Sequence, residues 1–283
     1  MEAPPGPRGR RGFTLVEILV VVVILGLVMA MGAALLRSVS VTQKRSITAA
    51  RLANIDAALV QFAMQQRRLP CPADGSLSAS VGGDELRLPS GVCTGNQVRG
   101  VVPWKTLGLS ASDATDGWTR RITYRVDKDM SKDDALNLSG CDPAGTGGGV
   151  GLLGACNAAC TSSTLGTCTP PATYLNNKGI SVKNLLGLDV MLPAGTPPTG
   201  AAYVLISHGE SGGGAFLETG IVATSTLVDG SEEQKNYPSL VLQVYYVDDQ
   251  ASDVGGAAHF DDIVSRPSIL AVASKAGLGP RSH

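Results

Sequence analysis

Aromatic side chains are scarce in this chain, with two Trp, four Phe and six Tyr among 283 residues. No excess of one charge sign exists either: 23 Lys and Arg face 24 Asp and Glu, for a formal net charge of −1. That balance removes the usual reason to expect nucleic acid or any strongly charged partner. No period between about 20 and 50 residues recurs, which excludes a solenoid or propeller built from repeats. The glycine-rich tract from Gly145 to Gly151 lacks a following Lys-Ser/Thr pair, so it reads as a surface loop and not as a phosphate loop. What is plentiful is Gly (35) and Pro (16). With so few aromatics, that mix suits a loop-rich β domain better than a helical bundle.

The strongest signal lies at the start. Met1 to Gly12 is short, rich in Pro and Gly, and basic through Arg8, Arg10 and Arg11. From Phe13 to Leu36 the only polar side chains are those of Thr14 and Glu17. As a helix this run spans roughly 36 Å, enough to cross a hydrocarbon core of about 30 Å. The arginines place the leader in the cytoplasm and the chain beyond Leu36 outside it. A cleaved secretory signal is the competing reading. Its apolar region is usually about 7–15 residues and ends at a small-residue cleavage site, whereas this run is longer and continues smoothly into Arg37 and a further helical pattern.

Glu17 needs a purpose, because a carboxylate near the start of a spanning helix costs on the order of 2.5–3.5 kcal/mol. The residues Gly12-Phe13-Thr14-Leu15-Val16-Glu17 resemble the processing site of type IV prepilins and of type II secretion pseudopilins. The resemblance implies cleavage between Gly12 and Phe13 by a membrane-embedded prepilin peptidase, N-methylation of Phe13, and Glu17 as the fifth mature residue. It also implies that Glu17 pairs with the N-terminal amine of a neighbouring subunit during assembly. The partners that follow are the peptidase, other pilin or pseudopilin subunits, an inner-membrane assembly platform and the lipid bilayer. The expected location is the bacterial inner membrane, single-pass with the C-terminal domain periplasmic, and then the filament.

Past the membrane run, Ser38 to Arg68 contains no Gly or Pro, and Leu52, Ile55, Leu59 and Phe62 draw one apolar stripe. The other face carries Lys44, Arg45, Arg51, Arg67 and Arg68 against the single acid Asp56. It reads as a solvated surface, with lipid head groups or an acidic neighbour as the functional alternative. Pro70 and Pro72 end the helix. Strands are expected at Arg121–Val126, Ala202–Ser207, Gly220–Thr224 and Leu240–Val247, with turns at Asp116-Gly117 and Asp229-Gly230. The expected fold is α+β: a long N-terminal helix, transmembrane in its first half, packed on one antiparallel sheet with loop-rich, disulfide-bonded insertions. The segments are a leader (1–12), a transmembrane and assembly helix (13–36), its exposed continuation (37–69) and a globular β-rich domain (70–283).

Scattered segments of that domain resemble a subgroup of prepilin-type proteins with large C-terminal regions. They are Arg68–Asp74, Val102–Gly108, Asp116–Tyr124, Leu205–Gly209 and Phe260–Val264. That resemblance and the domain's size imply a minor or accessory subunit. Outside the cytoplasmic membrane the six cysteines, Cys71, Cys93, Cys141, Cys156, Cys160 and Cys168, read as a disulfide framework. Cys71 with Cys93 is the expected pair across a Gly- and Ser-rich loop, and the other four make two further bonds of open connectivity. A zinc site on those four is the rival, weakened by irregular spacing and by the compartment.

Two further patterns concern chemistry. Gly209-Glu-Ser-Gly-Gly213 has the form of a nucleophile elbow around Ser211, followed in order by Asp253 and His259. The glycines after the serine make a poor helix start, so a glycine-rich turn accounts for the same residues. No enzymatic activity is expected. Asp248, Asp249, Asp253, Asp261 and Asp262 cluster near the C-terminus. They read as a solvated acidic surface, with calcium as the alternative because it favours clustered carboxylates. No other cofactor is indicated. Two alternatives to a filament subunit stay open: a membrane-anchored adhesin or binding module that never polymerises, and a Ser211-based surface hydrolase.

Overall fold

The computed structural model describes residues 15–94, 100–139, 141, 171–224, 230–237, 243–252 and 256–280. The chain divides into two compact units, Met1–Gln43 and Lys44–His283. Helix α1 runs Leu15–Gln66. In the first unit the large apolar side chains from Leu15 to Leu27 lie on every side of the helix, and each is at least 48% exposed. A helix apolar all round must be covered by something other than water. Among the described residues, no helix is long and apolar enough to cross a membrane. The apolar run of the sequence extends further, to Leu36, while the described side chains stop at Leu27 apart from Met29.

The second unit holds the expected α+β fold. Between Lys44 and Gln66, α1 buries Leu52, Ile55, Leu59 and Ala63 in the main core, while Phe62 is half-buried. Each large side chain there is worth about 1.5–3 kcal/mol of transfer free energy. The regular helix stops at Gln66, and Arg67 adopts a left-handed φ of 54° with its N–H donating to Ala63 O. The cap therefore precedes the prolines that the sequence suggested as the stop.

Among the described residues, eight short strands follow: β1 (Ala73–Asp74), β2 (Gly100–Val101), β3 (Thr123–Val126), β4 (Val182–Lys183), β5 (Asp189–Met191), β6 (Tyr203–Ser207), β7 (Tyr246–Val247) and β8 (Ile263–Ser265). Helix α2 is Pro171–Leu175 and α3 is Ile269–Lys275, N-capped by the Ser268 hydroxyl. A five-stranded antiparallel sheet has the order β1-β2-β3-β6-β8. A second, three-stranded sheet, β5-β4-β7, was not expected, and its β4–β7 pairing is parallel.

The second sheet explains β6. Tyr203 and Leu205 join the helix-side core, while Val204 and Ile206 join a separate cluster with Val182, Met191 and Tyr246. A strand covered on both faces reads as a continuous apolar run instead of an alternating one. Two expected strands shrink. Around Gly220–Thr224 only Val222 pairs, in a single bridge to Phe216. Of Leu240–Val247 only Tyr246–Val247 is a described strand, and residues 238–242 lie outside the described set.

Cys71 and Cys93 form the expected disulfide, across 22 residues. Cys141 is also disulfide-bonded, which removes it from any zinc site. Its partner lies outside the described residues, as do Cys156, Cys160 and Cys168.

Candidate functional site

Gly12 and Phe13 fall outside the described residues. Glu17 sits in the first turn of α1, exposed between Val16 and Ile18. A carboxylate there is favoured by the positive end of the helix dipole.

Of the basic face expected on the later part of α1, Arg51 and Arg68 are tied into the fold, while Arg67 stays exposed. Arg68 is buried and grips Glu85 with both nitrogens, at 2.9 and 2.7 Å, while its guanidinium lies 5.0 Å from the Phe62 ring centroid. Glu85 also accepts from Cys71 N at 2.8 Å. Burial opposes its ionised form, but the hydrogen bonds from Arg68 and Cys71 outweigh this and hold its carboxyl below the usual value. Arg51 donates to Thr115 O, Thr115 Oγ1 and Asp116 O. Asp56, the one acid of this stretch, accepts from Tyr203 Oη at 3.0 Å and Ser265 Oγ at 2.9 Å, tying helix to sheet. Burial raises its carboxyl above the ordinary range.

Three of the scattered segments singled out in the sequence, Asp116–Tyr124, Leu205–Gly209 and Phe260–Val264, meet at the C-terminal end of β6. Asp116 accepts from Trp118 N and Arg120 N with one carboxylate oxygen and from Ser207 Oγ at 2.8 Å with the other. His208, fully buried, bonds Thr123 Oγ1 through Nε2 at 2.9 Å, and its Nδ1 lies 3.7 Å from Asp262 Oδ1. Burial, reinforced by Arg125 and Arg120, lowers the His208 pKa to about 3, so the ring is neutral. Arg120 donates to Gly209 O and Glu210 O, and Arg121 to Gly75 O, Leu77 O and Glu218 O. These arginines replace backbone partners that short strands cannot supply.

A second buried group lies beside the first. Glu233, on the 3₁₀ turn Glu233–Asn236, accepts from Asp261 N at 2.7 Å and Gly230 N at 3.2 Å, and its Oε2 lies 2.9 Å from His259 Nδ1. Asp261 accepts from Ser211 N at 2.7 Å and Ser211 Oγ at 3.0 Å. Burial raises the Glu233 carboxyl. One donor atom from each of Glu233, His259 and Asp261 lies within 4.8 Å of the others, and all three residues are buried. Spacing alone did not point to Glu233, which stands 26 residues before its histidine in a polar stretch with no periodic pattern.

The hydrolase reading meets a different geometry. The Ser211 hydroxyl, itself buried, engages Asp261 and the His208 carbonyl. His259 Nδ1 is engaged with Glu233, and turns, not a helix, follow β6. Asp253 lies outside the described residues. The acidic cluster is dispersed: Asp248 pairs with Arg266, Asp249 accepts from Leu185 N and Gln250 N, and Asp262 accepts from Asn236. Among the described residues, Asp261 alone of these acids belongs to a group able to hold a metal ion.

Residues 7–33 match the family model described as the prokaryotic N-terminal methylation motif. The chain carries the methylation motif of type IV pilins and pseudopilins. The matched stretch includes Gly12, Phe13 and Glu17, and this motif implies anchoring in the inner membrane followed by filament assembly. No curated protein and no solved structure matches the chain.

Proposed function

We propose that this protein is a minor pilin or pseudopilin subunit, processed after Gly12 and assembled through its N-terminal helix into a type IV pilus or type II secretion-like filament. The observation that carries this reading is the motif match across residues 7–33, with an acid in the first turn of a helix whose stretch from Leu15 to Leu36 is otherwise apolar. Water is a poor environment for that helix, and lipid before assembly and neighbouring helices afterwards would cover it. The leader stays cytoplasmic and the C-terminal domain periplasmic. Prepilin peptidase removes residues 1–12 and methylates the Phe13 amine. That amine pairs with Glu17 of an adjacent subunit, so the charge that is costly in lipid gains an opposite charge within the filament.

The size of the Lys44–His283 unit supports a low-abundance or tip position, since a shaft subunit must fit its whole domain against every neighbour. The engagement of Ser211 with Asp261 supports a structural role for the residues of the elbow-like motif. The test is incorporation. In cells with the matching assembly machinery, the chain should appear in the sheared filament fraction, and Glu17→Val should leave it in the membrane. Equal recovery of both forms from the membrane alone would favour a static anchored binding module.

A further inference from the structure

Beyond the helix, the fold brings together one imidazole and two carboxylates from separate stretches of chain. Glu233 comes from the 3₁₀ turn, His259 and Asp261 from the segment leading into β8. We infer that Glu233, His259 and Asp261 form a binding site for a divalent transition-metal ion, with zinc the best-matched probe.

The donor set carries the choice of ion. One nitrogen and two oxygens suit zinc and its neighbours, whereas calcium takes six to eight oxygen ligands. Zinc bound at about 2.0–2.2 Å needs its donors roughly 3.3–3.6 Å apart. Here the donors lie within 4.8 Å of one another, and the His259 Nδ1 to Glu233 Oε2 distance is 2.9 Å. Small side-chain rotations close the gap. The proton shared between His259 Nδ1 and Glu233 Oε2 passes to solvent as the metal enters, because a coordinating nitrogen must be unprotonated.

The surroundings are those of a held site. Ligating carboxylates are normally fixed by hydrogen bonds from outside the coordination sphere. Glu233 is held by Gly230 N and Asp261 N, and Asp261 by the Ser211 N–H and hydroxyl. Gly209, at a φ of 50°, lets the β6 turn press onto Asp261, since a Cβ there would fall 2.6 Å from its carboxyl carbon. Two acid side chains and one imidazole, all buried, make a donor set whose formal charge a bound dication offsets. Asn236 of the same turn bonds both Asp262 and β7 through Val247 O, so a metal here would lock the approaches to β7 and β8 together.

The test uses the full-length chain in detergent with its disulfides intact, stripped with EDTA and dialysed. Zinc is titrated calorimetrically, and cobalt(II) is followed by its visible d–d absorption. The expected result is one equivalent bound, with a cobalt spectrum of four- or five-coordinate form. His259→Asn should weaken binding more than about 100-fold, while His283→Asn leaves it unchanged. Asp261→Asn carries the same test if His259→Asn does not fold. The inference is overturned by a folded wild-type chain that binds no zinc at about 100 μM, far above the dissociation constants of structural zinc sites. It is overturned equally by calcium binding without zinc, or by zinc binding that survives both substitutions.

Discussion

The Arg68–Glu85 pair offers the sharpest test of how the helix is joined to the domain. Arg68 is 8% and Glu85 17% exposed at the side chain, and two parallel hydrogen bonds join them. Replacing Arg68 by Met removes the charge and the guanidinium that lies over Phe62, leaving Glu85 with Cys71 N as its close donor. Breaking a buried pair on one side costs about 3–5 kcal/mol. Glu85 keeps some water contact and its backbone donor, so about 2–3 kcal/mol is the appropriate expectation. Urea unfolding of the full-length chain in detergent measures it. Arg68→Met with Glu85→Gln should recover part of the loss, because the penalty comes from stranding a carboxylate. The pH dependence adds a second readout. The folded Glu85 carboxyl is held below its usual 4.5, so its contribution is present above pH 4.5 and fades as pH falls through the folded value. Arg68→Met should flatten that acid limb. A loss below about 0.5 kcal/mol, as for an exposed pair, with no recovery in the double variant, would refute the reasoning.

Tyr203→Phe should cost about 1 kcal/mol by removing the hydroxyl that meets Asp56, and a double-mutant cycle with Asp56→Ala should show coupling of similar size. Because burial raises the Asp56 carboxyl above 3.8, its ionisation should reduce stability as pH rises through the window just above 3.8, and Asp56→Asn should remove that slope. Replacing Cys71 and Cys93 by Ala should cost roughly 3 kcal/mol, read as a lower urea midpoint, from the loop-closure entropy of 22 residues. His208 titrates near 6.5 unfolded and near 3 folded, so stability should be full above pH 6.5 and fall by up to about 1.4 kcal/mol per pH unit below it. A His208→Gln variant that shows the same acid slope would contradict that assignment.

The apolar stripe of α1, the strands around Arg121–Val126 and Ala202–Ser207 and the Cys71–Cys93 bond were legible because each rests on a local pattern. Apolar spacing marks a helix face, a β-rich run marks a strand, and two cysteines bracket a loop in an oxidising compartment. The second sheet was not legible, because β4, β5 and β7 hold only two or three residues each and leave no period to read. Two residues of the expected basic face misled for a different reason. Lys and Arg usually mark solvent, but Arg51 and Arg68 reach carbonyls and Glu85 on segments far along the chain. The buried group at Glu233, His259 and Asp261 was only half visible. His259 and Asp261 stood out as candidates for other chemistries, and Glu233 joins them through tertiary packing alone.

The central claim is that this chain enters a filament through a processed N-terminus, and intact-mass and N-terminal peptide measurement on protein made with and without a prepilin peptidase tests it most directly. The account predicts a peptidase-dependent terminus at Phe13 bearing one methyl group. An unprocessed Met1 terminus in the presence of an active peptidase, or cleavage at any other bond, would contradict it.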